Sequence, residues 1–244
     1  MKPIFFFLLI SFATLGQNPK LAVKIDTIVT LNSQNYKTEY HINYHIENKT
    51  NTELSFFLMP NALIANTASS LSLYLVYKIY QNGIFEDMDG PFFEYETEAE
   101  LEYAKIEDKK SPEALKLAKE FQDSQTTIAM EYYKKYKENG GESEDFQWVY
   151  YKQKLFNNIV TLKPKEIKNC TIKTLWNKNR YIKNGDLEYY LDKKNKIEIE
   201  LILDLKTVLF KDQLSVEDLK KITDNPNFIS GVFISNKAVV DFKE

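Results

Sequence analysis

Residues 36–47 alternate strictly between two kinds of side chain over their whole length. Tyrosine, threonine and isoleucine take the even positions, while lysine, glutamate, histidine and asparagine take the odd ones. A repeat of two residues places successive side chains on opposite faces of an extended chain. The segment is therefore predicted to be a β-strand with one buried face and one solvated face.

The two histidines of the chain, His41 and His45, lie on the polar face of this predicted strand. Their spacing is the one that zinc peptidases use on a helix, but Ile42 stands where the motif needs a glutamate base. On a strand, residues four apart are separated by roughly 13 Å, too far to bind one ion. We therefore predict that the pair does not form a metal site.

Further segments with strand-like alternation occur along most of the chain, and several are separated by turn sequences. Three hairpins are predicted, with turns at 48–51, at Asn82–Gly83 and at 235–237. The other predicted strands cover residues 21–31, 52–60, 70–80, 84–87, 145–156, 167–176, 187–191, 196–205 and the two halves of 227–242.

Two helices are predicted between residues 97 and 138, where the period of two is lost. Thr97 and Glu100 have the spacing of a capping box, and Ser111–Pro112 supplies an N-cap followed by a proline in the first turn. The second helix has an apolar stripe that Gln125 interrupts, and glycines follow it. A short helix is also predicted at 215–222.

These elements predict a mainly β protein with an α insert. The expected fold is an antiparallel β-sandwich, immunoglobulin-like in outline, interrupted by a two-helix insertion at about 97–138 and with a short helix near the C-terminus. Residues 17–244 are expected to form a single domain. The alternative is a small β domain, a helical hairpin and a second β domain.

Residues 1–16 are predicted to be a secretory signal peptide. Lys2 precedes an apolar run, Ile4–Leu15, and Thr14–Leu15–Gly16 has the small-x-small pattern of a cleavage site. The expected product is a soluble periplasmic or extracellular bacterial protein, with no transmembrane anchor after cleavage. An uncleaved membrane anchor is the alternative.

Charge and cysteine content limit the partners and the stabilising bonds of the chain. The net charge is −3, and Arg180 is the single arginine among 32 basic residues, so nucleic acid is not an expected partner. Cys170 is the single cysteine, which leaves no intramolecular disulfide for an exported chain. Stability must come from burial of the apolar residues, which make up 43% of the sequence.

Residues 85–96 partly match a calcium-binding loop. Asp87, Asp89 and Glu96 are the candidate ligands, and Gly90 would supply the sharp turn. Phe85 replaces the leading aspartate of the motif, so an acidic turn between a strand and the insert is the alternative. No other cofactor is expected.

Catalytic signatures are few. The chain has no G-x-S-x-G elbow, and Cys170 lies in a predicted strand as an inert core thiol. Carboxylates are abundant, so a secreted hydrolase that uses two of them on glycans is one alternative function. A structural component of a periplasmic or cell-surface assembly is another.

Aromatic residues cluster around the predicted insert and provide the preferred hypothesis. The expected function is binding of a protein or carbohydrate ligand, with the recognition surface on the insert; the opposing interpretation is that these rings serve packing. The candidate surface comprises Tyr132, Tyr133, Tyr136, Trp148 and Tyr150.

Overall fold

The structure, a computed structural model, is mainly β, with thirteen strands and four helices among the residues it describes. The described residues are 19–31, 37–65, 73–86, 98–143, 145–177, 182–184, 187–189, 194–206 and 214–241. The helices are α1 (Glu98–Lys105), α2 (Pro112–Glu138), α3 (Phe146–Asn157) and α4 (Val216–Thr223). The strands are β1 (Leu21–Leu31), β2 (Lys37–Asn48), β3 (Leu54–Phe57), β4 (Leu63–Ala65), β5 (Leu75–Gln81), β6 (Ile84–Glu86), β7 (Ile159–Leu162), β8 (Ile167–Asn177), β9 (Ile182–Asn184), β10 (Leu187–Tyr189), β11 (Ile197–Leu205), β12 (Gly231–Ile234) and β13 (Ala238–Val239).

One sheet consists of β1, β2 and β8, with the alternating strand β2 at its centre. Both pairings are antiparallel and extend over nearly the whole of β2. Tyr40, Ile42, Tyr44 and Ile46 are each no more than 1% exposed, so the predicted strand and its buried face are confirmed. A buried tyrosine hydroxyl needs a hydrogen-bond partner, and that of Tyr44 donates to the carbonyl of Pro60 at 2.6 Å.

The larger sheet is arranged around β11, which pairs with β5 on one side and with β12 and β13 on the other. β6 pairs with β5 through a two-residue turn in which Asn82 and Gly83 have φ of 52° and 82°. Positive φ at both positions is typical of a hairpin turn, and this predicted hairpin is confirmed. β4 pairs with β5 in parallel, so the sheet is mixed and the all-antiparallel prediction is wrong at that pair.

The apolar faces of the two sheets contribute to one hydrophobic core. Ile42 and Ile46 of β2 and Ile199, Leu201 and Leu203 of β11 are fully buried in it. Burying one such side chain contributes roughly 1.5–3 kcal/mol. A chain without an intramolecular disulfide depends on core burial for its stability, and these contacts provide it.

A second, smaller core joins the helices to the sheets. Its buried members come from β3, α3, α4 and the segments before β5 and α4: Phe57, Leu73, Leu155, Leu214 and Ile222. The ring of Phe57 meets that of Phe228 edge-on, with centroids 5.0 Å apart. α3 is thus packed into the body of the protein.

Asn48 ends β2 and is completely buried. Its side-chain amide donates to the carbonyl oxygens of Thr52, Leu162 and Lys163 at 2.8–3.2 Å, and its carbonyl oxygen accepts from the backbone N–H of Thr50 at 2.9 Å. Every polar atom of the side chain is therefore used, as burial requires. The residue fixes the turn after β2 to the end of β7.

Residues 145–156 were predicted to form a strand, and that prediction is wrong, because they lie in α3 and its N-cap. Asp145 accepts the backbone N–H of Trp148 at 2.9 Å, which satisfies one of the free donors of the first turn. Val149 and Leu155 are the buried residues of the helix. The helical segment therefore contains α1, α2 and α3 and extends to Asn157, so the prediction of a two-helix insert ending at about 138 is corrected.

Two of the predicted hairpins are also wrong. The turn at 48–51 exists, but β3 pairs with β7 and not with β2. At the C-terminus, β12 and β13 do not pair with each other and instead lie one after the other along β11. A local turn signal is compatible with either arrangement, since the pairing depends on which distant strand is available.

The short helix near the C-terminus is confirmed as α4. Ser215 is its N-cap and accepts the backbone N–H of Asp218 at 3.1 Å. For α2, Ser111 likewise accepts the backbone N–H of Ala114, as the sequence predicted. None of the helices in the described ranges is long and apolar enough to cross a membrane.

Candidate functional site

α2 and α3 pack against each other, and the segment between them reverses the chain. α2 ends where Gly140 adopts a φ of 80°, a conformation that favours glycine. Asp145 then opens α3 as its N-cap. The sequence thus provides a helix stop at Gly140 and a helix start at Asp145, five positions apart, which places the aromatic residues of both helices face to face.

The aromatic residues form ring pairs across the two helices. Tyr132 of α2 stacks on Tyr150 of α3, with centroids 6.1 Å apart and planes inclined by 28°. Tyr133 meets Phe146 edge-on at 5.5 Å. The hydroxyl of Tyr132 also accepts a hydrogen bond from the side chain of Asn157 at 2.7 Å.

Tyr136 occupies the end of the same contact. Its hydroxyl accepts the backbone N–H of Ser143 at 3.1 Å, which ties the connecting segment to α2. Gly141 lies against the ring so closely that a Cβ there would be 2.3 Å from two ring carbons. A side chain at position 141 is thus incompatible with this position of Tyr136.

A groove of about 720 Å³ lies beside these ring contacts. It is lined by α2, by the N-cap of α3 and by the first two turns of α3. We call it the helical groove. Its lining residues are Gln125, Thr126, Ala129, Asp145, Phe146, Gln147, Trp148, Tyr150 and Tyr151.

The structure brings all five residues of the predicted surface into this region. Trp148 and Tyr150 line the helical groove, and Tyr132, Tyr133 and Tyr136 contribute the ring and hydroxyl contacts described above. All five are half-buried. The five residues therefore form one aromatic cluster that packs α2 against α3 and contributes two of its rings to the lining of the groove.

The polar lining residues are oriented by bonds to their neighbours. The hydroxyl of Tyr150 donates to Oε1 of Gln125 at 3.1 Å, which turns the amide nitrogen of Gln125 away from that ring. One carboxylate oxygen of Asp145 accepts the N–H of Trp148. Burial raises the pKa of Tyr151, so its hydroxyl is a hydrogen-bond donor at neutral pH.

Lys152 connects the aromatic cluster to α4. Its ammonium lies 5.0 Å from the centre of the Trp148 ring and 5.8 Å from that of Tyr136. It also forms an ion pair of 2.5 Å with Asp218, whose side chain is 7% exposed. The charge of Lys152 is thus already engaged by neighbouring groups.

The electrostatics of Asp218 are set by these partners. Burial alone would raise the pKa of its carboxyl group, but hydrogen bonds from Lys152, Lys221 and Ser215 outweigh it and lower the pKa to about 2. The carboxylate is therefore ionised at any physiological pH and has a structural role in orienting Lys152.

Sequence reasoning missed several residues of the site. Gln125 was noticed only as a break in the apolar stripe of α2, and Asp145, Gln147, Lys152 and Asp218 were not identified at all. Gln125 was the available signal, because a polar residue within an apolar stripe is expected either at a helix contact or at a cavity. Asp145 can be recognised as an N-terminal capping residue only once α3 is known, whereas Asp218 lies in the first turn of α4 and accepts a hydrogen bond from the N-cap Ser215.

Each histidine is paired with a different carboxylate on the polar face of β2. Nε2 of His41 is 2.7 Å from Glu39, and Nδ1 of His45 is 2.7 Å from Asp26. Glu39 also pairs with Lys105 of α1 at 2.9 Å. Burial opposes ionisation of Glu39, but Lys105 and His41 lower its pKa.

In the described part of the chain, no three histidine, cysteine or acidic side chains converge as metal ligands.

The remaining candidates from the sequence are Cys170 and the proposed calcium ligands. Cys170 of β8 packs against the main core, and burial raises the pKa of its thiol, which disfavours the reactive thiolate. Asp87, Asp89 and Glu96, the proposed calcium ligands, lie outside the described residues.

Comparison with known proteins gives no relative: no family model, curated protein or solved structure matches the chain.

Proposed function

We propose that this chain is an exported β-sandwich protein, immunoglobulin-like in outline, that acts by binding a ligand in the helical groove. The observation that carries this proposal is the position of Trp148 and Tyr150, which line a groove of about 720 Å³ rather than a closed core. Ligand sites are typically concave, mostly apolar and supplied with a few oriented polar groups. The helical groove is a shallow depression with a mostly apolar surface, and Gln125 and Asp145 supply oriented polar groups.

The way in which the groove is built also supports binding. Ring pairs, the Tyr136 hydroxyl and the Lys152–Asp218 ion pair hold its walls before any ligand arrives. A preformed site loses little conformational entropy on binding, so more of the contact energy is available as affinity. The expected ligand is a protein or a carbohydrate, and the acidic net charge continues to argue against nucleic acid.

Export is part of the proposal, with residues 1–16 as the signal peptide and 17–244 as the mature protein. Secretion by a bacterial host followed by N-terminal sequencing would give Gln17 as the first residue. An intact N-terminus on membrane-bound protein would favour the uncleaved anchor instead.

The binding function can be tested by the fluorescence of Trp148. The chain has two tryptophans, so the Trp176→Phe variant leaves Trp148 as the reporter of the groove. The variant would be titrated with neutral oligosaccharides, acidic oligosaccharides and short peptides. We expect a saturable change in emission with at least one class.

Matched glutamine variants decide whether the response comes from the groove. Gln125→Ala removes a lining amide of α2, whereas Gln122→Ala removes an exposed amide of the same helix that does not line the groove. Weaker binding in the first variant and unchanged binding in the second would support the proposal. Equal responses in both, or no saturable response to any class, would reject it.

A second candidate is the structural role in a periplasmic or surface assembly, and one observation favours it. Val232, Ile234 and Val239 on β12 and β13 are 54–58% exposed along an outer strand of the larger sheet. Exposed apolar patches often mark protein contacts. Sedimentation of the wild type and of the Ile234→Lys variant would test it: a concentration-dependent assembly that the variant abolishes is expected, and a monomer in both cases rejects this role.

The third candidate is the carboxylate-based glycan hydrolase. Among the described residues that line the helical groove, Asp145 is the one acidic residue, and its carboxylate also caps α3. Glycoside hydrolysis by the usual mechanism requires two facing carboxyl groups. The groove as described supports binding better than hydrolysis, and release of reducing sugar from the oligosaccharides used above would reverse that preference.

A further inference from the structure

The lining of the helical groove contains two kinds of chemistry that together select a ligand class. Phe146, Trp148 and Tyr151 present aromatic surface, while Gln125 and Gln147 present side-chain amides. The aromatic face is electron-rich and attracts weakly positive C–H groups. The planar amides donate and accept hydrogen bonds side by side, which matches a pair of neighbouring hydroxyl groups.

The charges around the groove argue against an anionic ligand. Asp145 is the single charged residue of the described lining, and it is negative. Lys152, which lies over the ring of Trp148, is paired with Asp218 at 2.5 Å. An acidic ligand would be repelled by Asp145 and would meet no cation among the described lining residues, so the preferred ligand is neutral.

The secondary structure of the walls argues against a peptide. Two common modes of peptide recognition are the addition of a strand to a sheet edge and the insertion of apolar side chains into an aliphatic groove. Here the walls are helices, which offer no sheet edge, and Ala129 is the one aliphatic residue among the described lining residues. Neither of these two modes fits; docking of a proline-rich peptide on aromatic rings is a third mode, and the peptide probe below tests it.

We propose that the helical groove binds a neutral glycan, with one pyranose ring against the part of the Trp148 indole that Lys152 leaves uncovered. Gln125, Gln147 and the free carboxylate oxygen of Asp145 would bond the sugar hydroxyls. Thr126, exposed at the rim, would contact the next sugar unit. This inference rests on the proposed binding function and specifies its ligand.

The test uses isothermal titration calorimetry of the mature protein with laminaripentaose, cellopentaose, mannopentaose and chitopentaose. Oligogalacturonate and a mixed peptide pool serve as the anionic and peptide probes. We expect saturable binding of at least one neutral oligosaccharide. The affinity should be the same at low and high salt, because no net charge is neutralised on binding.

Two variants and two controls connect the binding to the proposed contacts. Trp148→Leu should weaken binding by about tenfold through loss of the ring contact. Gln147→Ala should weaken it without disturbing the fold, since Gln147 is exposed. Gln153→Ala, on the same helix but outside the groove, and Phe85→Leu, an exposed aromatic on β6, should leave the affinity unchanged.

The outcomes separate this inference from the function on which it rests. Binding of oligogalacturonate or peptide that depends on Gln125, with no binding of the neutral sugars, would overturn the glycan inference and leave the binding function standing. Binding of neutral sugars that Gln147→Ala and Trp148→Leu do not weaken would also overturn it. No groove-dependent binding of any probe would reject both.

Discussion

The side-chain amide of Asn236 pairs with the backbone of Ile25 as a neighbouring strand would. The N–H of Ile25 donates to Oδ1 of Asn236 at 2.9 Å, and Nδ2 of Asn236 donates to the carbonyl of Ile25 at 3.2 Å. Ile25 is the residue at which the register of β1 against β2 shifts, and Asn236 lies in the break between β12 and β13. One amide thus joins the two sheets where both are irregular.

Removing this amide should weaken the contact between the sheets. We expect Asn236→Ala to lower the free energy of unfolding by about 1–3 kcal/mol, because two backbone groups of β1 lose their partner. Asn236→Asp should lower the free energy of unfolding by at least as much, since a carboxylate cannot donate to the carbonyl of Ile25. Urea denaturation measures both, with the exposed turn residue Asn51→Ala as the control. A loss no larger than that of the control would contradict the proposed role.

The ion pair of Asp218 makes stability depend on pH in the acidic range. Its pKa is about 2 in the folded protein against an ordinary value of 3.8, so the unfolded chain binds the proton more tightly. The stabilisation is therefore complete above about pH 4 and is lost as the pH falls towards 2. Asp218→Asn should cost about 1–2 kcal/mol at neutral pH, and its difference from the wild type should shrink as the pH falls.

Denaturation of both proteins between pH 2 and 7 provides the measurement. The Asp123→Asn variant, on the exposed face of α2, is the matched control and should follow the wild type at every pH. If the cost of Asp218→Asn stayed constant over the whole range, the ion pair with Lys152 would not be its origin.

The strands could be predicted from sequence because their alternation is a local property. β2 and β11 have one apolar and one polar face, and burial follows directly from that pattern. Their partners could not be predicted in the same way. β3 pairs with β7 across about a hundred residues, Ser55 opposite Thr161, and nothing in either segment specifies the other.

α3 was mistaken for a strand for a related reason. Its aromatic residues have a high intrinsic preference for strands, but that preference depends strongly on the environment. Here Asp145 supplies a helix cap, and Leu155 has a buried site in the second core that the helical conformation reaches. The aromatic half of the candidate site was thus visible in the sequence, whereas the groove itself required the helix packing.

Gly141 should be intolerant of any side chain. A Cβ at this position would be 2.3 Å from the ring of Tyr136, which is held by the N–H of Ser143 and cannot move away without losing that bond. We expect Gly141→Ala to lower the free energy of unfolding by about 1–3 kcal/mol through overpacking. The emission of Trp148 in the Trp176→Phe background should change as the groove is distorted.

A double variant tests whether the ring is the cause. If the clash with Tyr136 dominates, Gly141→Ala combined with Tyr136→Ala should cost less than the sum of the two single variants. Strictly additive costs would show that Gly141 is required for some reason other than the ring.

The last prediction concerns how firmly the helical segment is joined to the sheets. Leu155 of α3 is fully buried beside Phe57 of β3 and Ile222 of α4. We expect Leu155→Ala to cost about 2–5 kcal/mol, the range for a cavity in a packed core. Leu115→Ala on α2, where the side chain is 59% exposed, should change the free energy by no more than about 0.5 kcal/mol.

The shape of the unfolding curve decides whether α3 unfolds together with the sheets. If it does, the far-ultraviolet circular dichroism of Leu155→Ala and, in the Trp176→Phe background, its Trp148 emission should change in one transition. The transition should occur at a lower urea concentration, with an unchanged slope of the unfolding free energy against urea. Two separate transitions would mean that the helices unfold independently of the sheets. The groove would then be an independent module, and the second core would not be what holds it in place.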